Sequence, residues 1–192
     1  MMGKLNLFDC DRKALESYFA DIGEKSFRAH QLLKWIYQHG VINIESMSNL
    51  SNDLRAYLKE NTSVKLPEII TEKKSKDGTK KWLIKVDEKN SIETVFIPEN
   101  DRGTLCISTQ VGCALDCKFC STAQQGFSRN LTTSEIIGQV WVANKILGHF
   151  ENGKRMITNI VFMGMGEPLL NYDNVLKAIN LMSDDHAFGL SR

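Results

Sequence analysis

A chain of 192 residues, 42% of them hydrophobic, is long enough for one large or two small domains with a real core, which excludes disorder. Its 24 Lys and Arg against 23 Asp and Glu leave a formal net charge of +1, which neither requires nor excludes nucleic acid, because binding follows where charge sits. MMGKLNLFDC has no apolar run of signal-peptide length and no later stretch could span a bilayer, so the expectation is a cytoplasmic protein with no membrane partner.

From Asp9 to about Asn61 the pattern is helical. Leu15, Phe19 and Ile22 keep one face, and Ser26 is the expected cap of a second helix whose face carries Leu32, Leu33, Ile36 and Tyr37. Gly40 ends that helix. A short turn with Ile44 and Met47 precedes a third, marked by Leu54, Tyr57 and Leu58.

Between Leu66 and Pro98 the period changes. EIITEKKSKDGTKKWLIKV places two strands around Asp77-Gly78, a hairpin turn signal, and SIETVFIP reads as a further strand. Lys73, Lys74, Lys76, Lys80 and Lys81 make the hairpin tip basic. Such lysines either contact phosphates or keep an exposed strand edge soluble.

After about Gly103 strands and helices alternate. TLCISTQV is strand-like, and TTSEIIGQVWVANKIL is a helix opened by a capping box from Thr132 to Glu135. ITNIVFM reads as a buried parallel strand, and NYDNVLKAINLM as a helix with Tyr172, Val175, Leu176 and Ile179 on one face. This βαβα order suits a parallel sheet or an α/β barrel. Two such units are too few to close a barrel, so the sequence reads as part of a longer protein.

GCALDCKFC places Cys113, Cys117 and Cys120 on a loop between a strand and a capped helix. In a reducing compartment clustered cysteines hold metal or do chemistry more often than they form structural disulfides. A closed zinc site needs a fourth ligand, which is missing locally, and the spacing is not that of two-cluster ferredoxins. Three cysteines can instead hold three irons of a 4Fe–4S cube and leave the fourth open. A zinc site completed by a distant cysteine, an electron-transfer module and three unrelated buried cysteines remain alternatives. His30 and His39 fall on the helical module and His149 and His186 near helix ends, and Cys10 matches no motif.

The C-x3-C-x2-C spacing with Phe119 before the last cysteine resembles the signature of radical S-adenosylmethionine (SAM) enzymes. MGMGEP at 163–168, after the strand ITNIVFM, resembles that superfamily's GGE-type motif; Gly164 and Gly166 would let the backbone approach a ligand. The resemblance implies a 4Fe–4S cluster on Cys113, Cys117 and Cys120, SAM as second cofactor, and Gly166 and Glu167 binding its methionyl amino group. The cofactors then carry the hard chemistry.

RGTLCISTQVGCALDCKFCSTAQQGFSRNLTTSEIIGQVW and NIVFMGMGEPLLNYDNV, with GEKSFRAHQLLKWIY nearer the N-terminus, are similar to the bacterial dual-specificity RNA adenine-C2 methyltransferases across essentially the whole chain. That resemblance implies methylation of C2 of an adenosine in large-subunit (23S) rRNA and in tRNA beside the anticodon, through a methyl-cysteine intermediate. Glu93 is then the proton acceptor, and Cys106 the thiol of a transient disulfide with the methyl-carrying cysteine. No cysteine follows Cys120, so the carrier is absent and the 192 residues are not expected to turn over alone. The implied fold is α/β: residues 1–65 a helical, RNA-binding-like accessory domain, 66–102 a β-hairpin and linker region, and 103–192 the first βα units of a radical SAM partial (β/α)6 barrel. Implied partners are the RNAs and a flavodoxin-type electron donor, with the full-length protein a monomer.

Overall fold

Leu5–Asn6 (β1) leads into Arg12–Asp21 (α1), whose N-terminus is capped by the Asp11 side chain accepting the Ala14 N–H at 3.0 Å. The computed structural model describes residues 4–100 and 102–190. They form two compact units, Met1–Lys65 with Lys177–Arg192, and Leu66–Leu176. No helix among the described residues is long and apolar enough to cross a membrane.

In the first unit α1 buries Leu15 and Phe19, while Ile22, expected beside them, is the half-buried residue that ends the helix. Phe27–Leu33 (α2) continues through a π turn, Lys34–Gln38, before Gly40 at φ +65° breaks it. Ser26 caps nothing. Its backbone is already helical at φ −55°, ψ −32°, so its hydroxyl is not presented to the free N–H groups as an extended N-cap residue would present it. Ala29, Leu32, Leu33, Ile36 and Tyr37 are fully buried as the periodicity requires. Asn52–Asn61 (α3) follows a 3-10 turn at Ile44–Ser46, and buries Leu54 and Leu58 but leaves Tyr57 exposed. Thr62–Ser63 (β2) then pairs in parallel with β1. Tyr37 and Phe188 pack with ring centroids 5.1 Å apart, and Arg12 holds Asp184 through Nε–Oδ2 and Nη2–Oδ1 at 2.6 and 2.5 Å.

The second unit starts with Glu68–Lys74 (β3), Lys80–Lys85 (β4), Ser91–Pro98 (β5) and Gly103–Cys106 (β6). The hairpin turn sits at Asp77-Gly78, where the Asp77 carboxylate accepts the Thr79 N–H at 3.0 Å. TLCISTQV is not one strand: it breaks after Cys106 and resumes as Gln110–Gly112 (β7) in a separate two-stranded sheet. Ser121–Gln124 (α4), Phe127–Asn130 (β8), Thr133–Ile146 (α5), His149–Asn152 (α6) and Asn159–Val161 (β9) follow, and Tyr172–Ser183 (α7) begins in this unit and ends in the first, to which residues from Lys177 on belong. The main sheet runs β3-β4-β5-β6-β9, antiparallel throughout except for the parallel β6–β9 pair that α5 connects. Both halves of the Thr132–Glu135 capping box are present at the start of α5.

Two expectations are corrected here. ITNIVFM forms only a three-residue strand that is half-buried, because it lies at the sheet edge with a single neighbour. In α7 the buried residues are Val175, Ala178, Leu181 and Met182, whereas Tyr172, Leu176 and Ile179 are exposed. The helix carries two apolar stripes, and a 3.6-residue period by itself does not say which one is covered.

Alternation along the central strands divides the main sheet into two faces. Trp82, Ile84, Ile92, Thr94, Phe96 and Leu105 are buried on the face that receives Gln139 of α5. Lys81, Leu83, Glu93, Val95, Thr104 and Cys106 occupy the other, more open face.

Candidate active site

The candidate site is assembled where the chain leaves β6 and β9. Beyond Cys106 the Ile107 N–H donates to the Val161 carbonyl at 3.0 Å, and the Gly164 N–H donates back to the Ile107 carbonyl at 3.1 Å. Thr109 and Gln110 donate their N–H groups to the Met165 carbonyl at 2.8 and 3.2 Å. The GMGE loop is thus laced onto residues 107–110. A Cβ on Gly164 would stand 2.7 Å from the Ile107 carbonyl oxygen, and one on Gly166, at φ +96°, 2.5 Å from Gln110 Cβ. The close approach these glycines permit is therefore to the protein's own chain.

Glu167 follows with its N–H donating to Gln110 Oε1 at 3.0 Å, while its carboxylate accepts the Leu169 N–H at 3.2 Å and caps a short 3-10 turn. Gln110 is oriented by donating through Nε2 to Asn130 Oδ1 at 2.8 Å. Asn171 Nδ2 donates to the carbonyls of Thr109 and Leu131, both at 2.8 Å, tying the far end of the loop to the residues that flank β7 and β8.

Glu93 and Cys106 stand on the open face of the sheet. The Glu93 carboxylate is exposed and accepts from Lys81 Nζ at 2.8 Å. Its backbone carbonyl accepts from Ser108 Oγ at 2.7 Å, and the same hydroxyl accepts the Met165 N–H at 2.9 Å. Ser108 is in turn fixed by Gln139, which is fully buried. The Gln139 Oε1 accepts from Ser108 N–H at 2.9 Å and Thr94 Oγ1 at 2.7 Å, and its Nε2 donates to the Ser108 carbonyl at 2.9 Å. Cys106 is half-buried, and burial pushes its thiol pKa up against a lowering contribution from the Met163 backbone.

The three-cysteine loop hangs from the β7–β8 hairpin. Its neck is closed by the Cys113 N–H donating to the Gly126 carbonyl at 3.1 Å, and a Cβ on Gly112 would lie 1.8 Å from that same oxygen. Cys113, Cys117 and Cys120 are free thiols of intermediate exposure. Among the described residues, no three His, Cys, Asp or Glu are gathered as ion ligands. Two of the sulfurs answer instead to nearby backbone: the Leu115 N–H reaches Cys113 Sγ at 3.5 Å, and the Ala123 and Thr122 N–H groups hold the Cys120 thiol below its usual pKa. The donor set is nonetheless soft and sulfur-only, which suits iron–sulfur or zinc chemistry. No cysteine is in a disulfide, so the pairing implied for Cys106 is not found in this structure.

Ser108, Gln110, Gln139 and Asn171 were not singled out from sequence. Gln139 alone left a signal, as a polar residue inside the apolar helical run IIGQVWVAN, since buried polar groups are there to be hydrogen-bonded.

A family model described as the ribosomal RNA large subunit methyltransferase N-terminal domain matches residues 5–64, and one for the radical SAM superfamily matches 107–191. A dual-specificity RNA methyltransferase RlmN of Alkalilimnicola ehrlichii is 58% identical over 189 residues, and one of Marinobacter nauticus 52% identical over 189. The chain belongs to the RlmN family. It spans about half the length of these curated relatives: 98% of this chain aligns with 51% of each. The crystal structure of a radical SAM methyltransferase from Sphaerobacter thermophilus is similar at a TM-score of 0.84 and 34% identity, covering 97% of this chain and 54% of that one. The mixed α/β architecture is thus shared between this RlmN-family chain and a solved radical SAM methyltransferase.

Proposed function

We propose that this chain forms part of a radical SAM methyltransferase that adds a methyl group to C2 of adenosine in large-subunit rRNA and in tRNA. In this reading residues 103–192 are the first strands and helices of a partial (β/α)6 barrel, 1–65 an accessory domain that meets RNA, and 66–102 the hairpin region between them. Cys113, Cys117 and Cys120 hold a 4Fe–4S cluster. Gly166 and Glu167 receive the amino group of SAM. When bound, the cluster and SAM would supply one-electron chemistry at this site.

The residues of the open sheet face do the rest of the work assigned to this chain. Glu93 accepts the C2 proton at a carboxylate oxygen, and Cys106 serves as the thiol that helps release product. The methyl-carrying cysteine lies outside these 192 residues, because none of the five cysteines follows Cys120. The chain alone is therefore not expected to methylate RNA. A base inside a helix must leave its stack to reach such a site.

The observation that carries this reading is the Ser108 junction. One hydroxyl bridges the backbone of Glu93 and of Met165, so the strand bearing Glu93, the segment after Cys106 and the GMGE loop meet at one point. The test is anaerobic reconstitution with iron and sulfide, followed by electron paramagnetic resonance of the reduced sample with and without SAM. A cluster signal that changes on adding SAM, and is lost when each of Cys113, Cys117 and Cys120 is replaced by Ala, is the expected result. Stoichiometric zinc without a cluster would make the cysteine loop a structural metal site and overturn the proposal.

A further inference from the structure

The five strands of the main sheet place one continuous row of residues across the open face: Lys73 opposite Lys81, Lys81 opposite Val95, Val95 opposite Cys106, and Cys106 opposite Val161. Directly paired residues point to the same side of a sheet. Lys73 and Lys81 therefore stand on the face that carries Glu93 and Cys106, whereas Lys74 and Lys80 point to the opposite side.

Two features of this row call for an anion. Like charges directly opposite each other destabilise a strand pair, and Lys73 faces Lys81 in register. Their carboxylate neutralisation among the described residues comes from Glu93 alone, through the 2.8 Å contact to Lys81. The Lys81 and Glu93 side chains are 44% and 48% exposed. An ion pair that open to water adds little to stability, so holding the sheet together does not account for the arrangement.

We propose that Lys81 is an RNA-responsive partner of Glu93. In the free protein its ammonium is tied to the Glu93 carboxylate. When RNA binds, a backbone phosphate lying along the Lys73–Lys81 edge draws that ammonium away, and the Glu93 carboxylate is released toward the base. The lysine pair positions the RNA strand, and the exchange couples RNA arrival to the freeing of the carboxylate. This rests on the function proposed above for its choice of RNA. The ligand chemistry itself, a phosphodiester chain meeting two in-register ammonium groups, follows from the sheet.

The experiment is fluorescence anisotropy of an end-labelled RNA stem-loop with an unpaired adenosine, titrated with the chain and with Lys81→Gln, Glu93→Gln and the double variant at several salt concentrations. Lys81→Gln weakens binding across RNA sequences alike and makes the slope of log K against log salt shallower by about 1, the loss of one phosphate contact. Lys81→Arg retains the slope. Glu93→Gln tightens binding several-fold by freeing Lys81, and that gain disappears in the Lys81→Gln background. An equal gain in both backgrounds, or an unchanged salt slope in Lys81→Gln, overturns the proposal. Both side chains are exposed, and circular dichroism checks that each variant is folded. The assay needs neither iron nor SAM, so the two readings fail separately. Coupling without a SAM-responsive cluster leaves an RNA-binding sheet, and a SAM-responsive cluster without coupling removes only the role of Lys81.

Discussion

Glu93 and Cys106 are diagonal neighbours on one sheet face: Cys106 is paired with Val95, and Glu93 lies two residues before Val95 on the same strand. Diagonal neighbours of this kind are separated by about 7–8 Å. Both side chains face the same open side of the sheet. The relationship depends on register, since a slip of one residue between β5 and β6 would send one of the two to the covered face.

Gln139 is expected to be a stability residue out of proportion to its size. Gln139→Leu keeps the volume but leaves the Ser108 N–H, the Ser108 carbonyl and Thr94 Oγ1 without this partner. Buried groups left unpaired cost about 1–3 kcal/mol each, so a loss of about 2–4 kcal/mol is expected after relaxation. Denaturant unfolding measures it; a change below ~1 kcal/mol would mean that Ser108 finds other partners.

Gly112 and Gly126 both have positive φ, at +74° and +73°, but only Gly112 is crowded. Gly126→Ala should cost about 1–2 kcal/mol, the backbone penalty of a left-handed Ala. Gly112→Ala must also push the Gly126 carbonyl out of a 1.8 Å overlap, so it should cost clearly more and open the neck of the cysteine loop. Thermal unfolding of the two variants side by side gives the comparison, and equal losses would argue against the clamp.

His30 and His186 stack with ring centroids 4.4 Å apart, and Glu16 contacts His30 at 3.0 Å. Burial, followed by the charges of His30, Arg12 and Lys34, outweighs Asp184 and lowers the His186 pKa. A histidine that is harder to protonate when folded contributes stability above its unfolded pKa of about 6.5, and this is lost as pH falls through the depressed folded value. Asp184 acts in a separate window. Burial would raise its pKa, but Arg12 and the His186 N–H bring it below normal, so its contribution is lost only below about pH 4. Unfolding midpoints should therefore fall as pH drops below about 6.5, and His186→Phe should flatten that step while leaving the more acidic one.

The cysteines should separate by reactivity in the metal-free chain. Cys10 is 5% exposed, and burial followed by Asp9 and Asp11, against Lys177, pushes its pKa from 9.0 up to about 11. Its thiolate population is then about 100-fold smaller than that of an unshifted thiol. Iodoacetamide labelling followed by peptide mass spectrometry should find the half-exposed loop thiols modified first, Cys106 later, and Cys10 only on unfolding. Early labelling of Cys10 would contradict its burial.

The sequence by itself determined what local chemistry dictates. The Thr132–Glu135 capping box, the Asp77-Gly78 turn and the strand SIETVFIP rest on residues near in the chain, and each formed as read. The cysteine spacing and the GMGE run likewise pointed to the radical SAM superfamily, whose model matches residues 107–191. Tertiary structure decided the rest. Ser26 failed as a cap because the helix already includes its backbone, and α7 turned a different apolar stripe inward because neighbours, not periodicity, choose which face is covered. The Ser108–Gln139 junction and the row joining Lys73, Lys81 and Cys106 were invisible in the sequence. Both depend on strand register and on partners dozens of residues apart, which only the folded chain brings within hydrogen-bonding or ion-pairing distance.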